Sequence, residues 1–197
     1  MSLVIQRPLA RQRFHDLSDS IEQAAHAQGM LQLLLTQDGS TTRLCEAIAQ
    51  GPVSLHLIEQ QIVDVVPDPV RSQLVGASFI ERITCLSAHG KVLMDNLSYI
   101  ALDGLAADLR RDLEDGVMPF GHMLPRLWSR RTFYETAPML HARLWDVSGL
   151  PDPDASRTYC LSTPEGPCMV IAETFRRGML MAHDRRGALP HVQPTIH

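Results

Sequence analysis

Two short turns constrain this chain most. Ser78–Ser87 and Val92–Leu102 read as strands, with His89-Gly90 at the turn between them. Arg157–Ser162 and Cys168–Phe175 read as a second pair, joined across Thr163-Pro164-Glu165-Gly166-Pro167. Strands this close in sequence pair antiparallel, because a parallel pair needs a crossover of about a dozen residues or more. Any fold must therefore hold an antiparallel sheet.

Other segments add to it. Across Val53–Val65, Val53, Leu55 and Leu57 alternate with Ser54, His56 and Ile58, as in a strand with one buried face. Pro67 and Pro69 end it. Arg131–Thr136 and His141–Val147 are weaker strand expectations. A helix is expected after Asp16 or Ser18, on the spacing of Leu17, Ile21, Ala24, Ala25, Leu31 and Leu35. Asp38-Gly39-Ser40 can cap a second helix over Thr41–Gln50, stopped by Gly51 and Pro52. Leu105, Leu109 and Leu113 recur every four residues and predict a third over Gly104–Asp115. Met118–Leu124 reads as a joint containing Pro and Gly. This order implies an α+β domain, with helices on one face of the sheet. The expected organisation is an arm over 1–15, a domain over 16–177 and a tail over 178–197.

Composition excludes several functions. The net charge is -4, without the basic excess of a nucleic-acid binder. No apolar run approaches ~20 residues, so no membrane span is expected. Residues 1–14 lack the apolar core of a signal peptide. Cys45, Cys85, Cys160 and Cys168 form no CxxC pair and fit no zinc spacing. GxGxxG, GxxxxGK[ST], HExxH and GxSxG are all absent. The cations are nearly all arginine, with Lys91 the single lysine. An arginine in a pocket presents a planar fork suited to carboxylates. The Arg130-Arg131 and Arg176-Arg177 pairs read as solvated or interface charge.

Three segments, in order over about 30–176, carry a resemblance. The first runs from Leu33-Leu34-Leu35 through Asp38-Gly39-Ser40-Thr41-Thr42-Arg43-Leu44 to Val53-Ser54-Leu55-His56-Leu57-Ile58. The second is Phe79-Ile80-Glu81-Arg82-Ile83 with its hairpin, then Met118-Pro119-Phe120-Gly121. The third is Pro167-Cys168-Met169-Val170-Ile171-Ala172-Glu173-Thr174-Phe175. Together they resemble the chorismate lyase family, in its shorter bacterial and archaeal branch from phenolic natural-product pathways.

The resemblance implies a six-stranded antiparallel sheet with helices on one face, enclosing a buried ligand pocket. It implies elimination of pyruvate from chorismate to give 4-hydroxybenzoate, with no cofactor and no metal. It places Arg82 at the family's strand arginine, where it would hold a carboxylate or the ether oxygen. Glu173 falls at the family's glutamate, near the ring hydroxyl, as an acid or hydrogen-bond partner. Ser40 and Thr41 match a turn whose backbone N–H binds a ligand carboxylate. Phe120 and Gly121 match a flap joint whose backbone touches the ligand.

One position departs from the pattern. Glu59 stands where the family carries a basic residue, and Gln61 where the shorter branch offers a second arginine. A carboxylate at that substrate-binding position would repel a dianion. Either Arg126, Arg130 or Arg157 replaces the missing cation, or the substrate differs. The same fold would then serve a tailoring enzyme (cyclase, isomerase or dehydratase) on a less acidic substrate, or a non-catalytic ligand-binding module. Residues 1–29 are too short for the helix-turn-helix attached to ligand-sensing domains of this fold. The expected partner is a small-molecule substrate, with neither nucleic acid nor membrane. The chain is expected to be a cytoplasmic monomer or homodimer.

Overall fold

The computed structural model describes residues 9–16, 19–103, 111, 130–134 and 137–181. Most of the helix expected over 104–115, the joint over 118–124 with Phe120 and Gly121, Arg126 and residues 182–197 lie outside them.

Two helices come first. Helix α1 spans Ile21–Thr36 and starts in a capping box: Ser20 accepts from the Gln23 backbone, and the Gln23 side chain returns to the Ser20 N–H. The cap is therefore Ser20, not Asp16 or Ser18. Its buried residues are Ala27, Leu31 and Leu34, while Ile21 is exposed. Helix α2 (Thr41–Ala49) is capped by Ser40 and ends at Gln50 in the left-handed region, just before Gly51.

Strand β1 (Ser54–Val63) follows, then a single helical turn, α3 (Asp68–Arg71). The hairpin β2 (Phe79–Ala88) and β3 (Lys91–Ala101) forms as expected. Its turn residues His89 (φ 51°) and Gly90 (φ 75°) both have positive φ, as a tight two-residue hairpin requires. Strand β4 is Arg130–Tyr134, helix α4 Pro138–Ser148, and the last hairpin β5 (Ser156–Thr163) and β6 (Gly166–Phe175). Helix α5 (Gly178–Met181) closes the described chain.

The strand expected over His141–Val147 is helix α4. Pro138 sits in its first turn and Gly149 at its C-cap with φ 71°. Leu140, His141 and Leu144 share its buried face, an i, i+1, i+4 pattern.

The sheet order is β1-β2-β3-β6-β5-β4, antiparallel throughout. Two meanders, β1-β2-β3 and β4-β5-β6, join where β3 pairs with β6. Helices meet the sheet on both faces rather than collecting on one. On one side Ala27, Leu31 and Leu34 of α1 and Cys45 and Ile48 of α2 pack with Leu86, Met94 and Phe175. On the other, Leu140 and Leu144 of α4 and Val70 of α3 pack with Ile83, Leu97 and Ala172. Covered from both sides, β2 is buried along its whole length.

The packed unit extends past both expected boundaries. Phe14, in the expected arm, is fully buried in the α1–α2 core, and its N–H donates to Asp152 at 2.7 Å. Met179, in the expected tail, is also fully buried there. A Cβ added at Gly178 would overlap the Val92 carbonyl, so this backbone lies directly against the sheet. Arg176 and Arg177 are not solvated. Arg176 is fully buried and pairs with Asp95 at 2.7 Å, which also accepts from Arg11 at 3.1 Å. Arg177 pairs with Asp19. These pairs fasten both ends of the unit to its body.

Candidate functional site

Pairing across the sheet sets out the site in rows. One row reads Leu57, Thr84, Asn96, Glu173, Arg157. The next reads Gln60, Arg82, Ser98, Ile171, Tyr159, Phe133. A third reads Ile80, Ile100, Met169, Leu161, Arg131. Because side chains alternate along each strand, all three rows face one side. This is the α2 side. A cavity there is lined by Arg82, Asn96, Ser98, Ile100, Arg131, Tyr159, Met169, Ile171 and Glu173 from the sheet, and by Thr41 and Thr42 from the start of α2.

Glu173 is 2% exposed, and both its oxygens are engaged. Arg157 Nε donates to Oε2 at 2.8 Å, and Tyr159 Oη donates to Oε1 at 2.8 Å. A carboxylate offers about four acceptor positions, so two remain. The neighbouring Glu173 charge and, first of all, burial push the Tyr159 hydroxyl far above its ordinary range, so it stays a donor.

Arg157 does more than pair. Its Nη1 donates to the carbonyls of Leu34 (2.7 Å) and Gln37 (2.8 Å), which the end of α1 leaves unpaired within the helix. Its Nη2 donates to Thr41 Oγ1 at 3.0 Å. The guanidinium lies 5.2–5.4 Å from the ring centroids of Phe133, Tyr159 and Phe175. One side chain thus ties the α1–α2 turn to the carboxylate. Ser40 caps α2, its hydroxyl accepting from the Arg43 N–H at 3.4 Å; Thr41, not Ser40, reaches the cavity lining.

Arg82 is 3% exposed, and burial pushes its guanidinium below the ordinary value. Arg131 also lines the cavity, contrary to the expectation of a solvated pair. It donates to the Asp38 carbonyl and lies 5.1 Å from the Tyr159 ring centroid.

Glu59 does not line the cavity. A bulge between Leu57 and Glu59 shifts the register of β1 on β2, so Glu59 pairs with Ile83 and Gln60 with Arg82. Glu59 belongs to the opposite face, where Arg143 of α4 donates to it at 2.6 Å. Arg143 also bridges to Glu81, which accepts from Tyr99 at 2.6 Å and Gln61 at 3.1 Å. Burial pushes the Glu81 carboxyl up. Hydrogen bonds from Tyr99, Arg143 and Gln61 outweigh it and hold the group below the usual range. The side chain expected to repel an anionic ligand is neutralised on the far side of the sheet.

The structure therefore brings Arg82, Glu173 and Thr41 together and removes Glu59. Phe120 and Gly121 lie outside the described residues. Sequence reasoning missed Arg131 and Tyr159 and treated Arg157 only as a spare cation. Their signal was present: strand alternation puts Arg157 and Tyr159 on one face.

A family model described as "Chorismate pyruvate-lyase Rv2949c-like" matches residues 35–182. The chain belongs to this chorismate pyruvate-lyase family. The match spans β1 through β6 and runs into α5, so every described strand lies within it. No curated protein matches the chain. Solved structures with similarity include PhnF from Mycobacterium smegmatis, at 13% identity over 88% of this chain and 86% of that one, TM-score 0.43. Another is the ligand-binding domain of a putative GntR-family transcriptional regulator from Bordetella bronchiseptica, at 13% identity over 64% and 83%, TM-score 0.39. A third is the gene product SA0254 from Staphylococcus aureus, at 15% identity over 65% and 86%, TM-score 0.42. At these identities and scores they say nothing of activity. Among the described residues no helix is long and apolar enough to cross a membrane.

Proposed function

We propose that the chain is a chorismate lyase-like enzyme, eliminating pyruvate from chorismate to leave 4-hydroxybenzoate without a cofactor. One observation carries the reading: Glu173, a buried carboxylate held by Arg157 and Tyr159, lines the same cavity as Arg82 in a chain of this family.

The reaction asks little of a protein. A proton leaves the ring carbon that bears the hydroxyl, and that C–H pair completes the aromatic ring. The neighbouring ether C–O bond breaks, its electron pair leaves on the enolpyruvate oxygen, and protonation gives pyruvate. Aromatisation drives the step, so the site must orient a dianion and stabilise charge on the departing oxygen. Arg82 binds a carboxylate or the ether oxygen. The remaining acceptor positions of Glu173 receive the ring hydroxyl. The first turn of α2 at Thr41 offers backbone N–H groups to a carboxylate.

Glu59, the feature that favoured a less acidic substrate, pairs with Arg143 on the other face of the sheet, which supports the lyase reading over a tailoring enzyme. Mixing the purified protein with chorismate and following pyruvate tests the lyase reading. Release above the uncatalysed rate is expected, falling by about two to three orders of magnitude in Glu173→Gln. Firm binding of 4-hydroxybenzoate with no pyruvate release would leave a ligand-binding module instead.

A further inference from the structure

We infer that Arg131, on the far edge strand from Arg82, is a second anion-binding residue, and that the cavity selects ligands with two anionic groups. The inference rests on the proposed function only for the identity of the dianion. Its own support is geometric. Arg82 is on β2 and Arg131 on β4, with β3, β6 and β5 between them. Four strand spacings make about 19 Å along the sheet, and both long side chains reach into one cavity from its two sides. The floor between them is Ser98, Ile100, Ile171 and Met169, a mostly apolar surface for a ring.

Charge supports the same conclusion. Glu173 is already neutralised by Arg157 at 2.8 Å. Among the described lining residues the cations are Arg82 and Arg131. Arg131 makes no ion pair with a described carboxylate. It donates to the neutral Asp38 carbonyl and interacts with the Tyr159 hydroxyl, and its Nε is buried with no hydrogen-bond partner among the described residues. A guanidinium with an open donor at a cavity wall is suited to a carboxylate. β4 thus supplies the cation that the family pattern sought on β1, whose Gln60 pairs with Arg82 but is not among the lining residues.

Binding of chorismate (two carboxylates) and of 4-hydroxybenzoate (one) to wild type, Arg131→Gln, Arg131→Lys and Arg82→Gln tests this by calorimetry, with pyruvate release measured in parallel. Arg131→Gln should weaken chorismate binding about ten- to a hundredfold. Its KM should rise with kcat little changed, and Arg131→Lys should recover part of the loss. The monocarboxylate needs one cation, so only one of the two glutamine variants should weaken it strongly. If Arg131→Gln fails to fold, Arg131→Lys decides, since losing the fork must still cost severalfold in chorismate affinity. Unchanged chorismate affinity and KM in the Arg131 variants would overturn the inference and leave the lyase reading intact. Chorismate bound through Arg131 but never converted would overturn the lyase reading and leave the inference. Wild type that binds no chorismate would overturn both.

Discussion

His141 lies at the interface of α4 with the sheet, 2% exposed, its Nε2 at 2.9 Å from Thr158 Oγ1 and its ring stacked on Trp145. Burial pushes its pKa down to about 4. The folded value lies below the unfolded one, so the unfolded chain takes up the proton first as pH falls. The stabilisation is complete above about pH 6.5 and is lost progressively towards pH 4. Across that window His141 should remove up to roughly 3 kcal/mol of stability. Urea unfolding at pH 7 and pH 4.5 should show a drop that is smaller in His141→Gln; equal slopes in both proteins would exclude this histidine as the cause. At the same scale, Glu173 was legible because a carboxylate in an apolar run needs a partner or a pocket. The structure gives it both. Arg131 was not legible, because nothing local separates a cavity-facing arginine from a solvated one.

Elements were legible where their signal is local. The His89-Gly90 hairpin and the stop of α2 before Gly51-Pro52 both rest on neighbouring residues; the buried face expected of β1 did not form, since Leu57, Ile58 and Ile62 are exposed on this edge strand. Helix α4 was not legible, because its buried face includes the polar His141 while the apolar Met139 is exposed, which blurs the helical period. Gly149 defines its end. Its φ of 71° suits glycine, and nothing lies within 4 Å of an added Cβ. Gly149→Ala should therefore destabilise by conformational strain alone, about 1 kcal/mol. α4 lies on the sheet face away from the cavity, so pyruvate release should be unaffected. Denaturant midpoints and turnover measured on one preparation check both halves, and a loss of turnover at full stability would contradict this placement.

Across the described molecule, chain on either side of the sheet proper contributes to the core. Phe14 fills the α1–α2 side together with Met179, and Asp95 holds Arg11 and Arg176 from the two ends. Phe14→Ala should cost about 3–5 kcal/mol, as for other buried aromatics. A change under about 0.5 kcal/mol in urea unfolding would mean that Phe14 is peripheral to stability.

The sequence by itself determined the antiparallel sheet, because its turns are too short for anything else, and it placed Arg82 and Glu173 in strands. Tertiary structure decided which side chains share a face. Bulges interrupt the register between Leu57 and Glu59 and between Leu161 and Ser162. Without the first, Glu59 would pair with Arg82 and point into the cavity. Without the second, Arg157 would pair with Ala172 and point away from Glu173. A one-residue slip turns every following side chain to the other face. Packing on both sides of the sheet fixes where such slips fall, and no local run of residues records it.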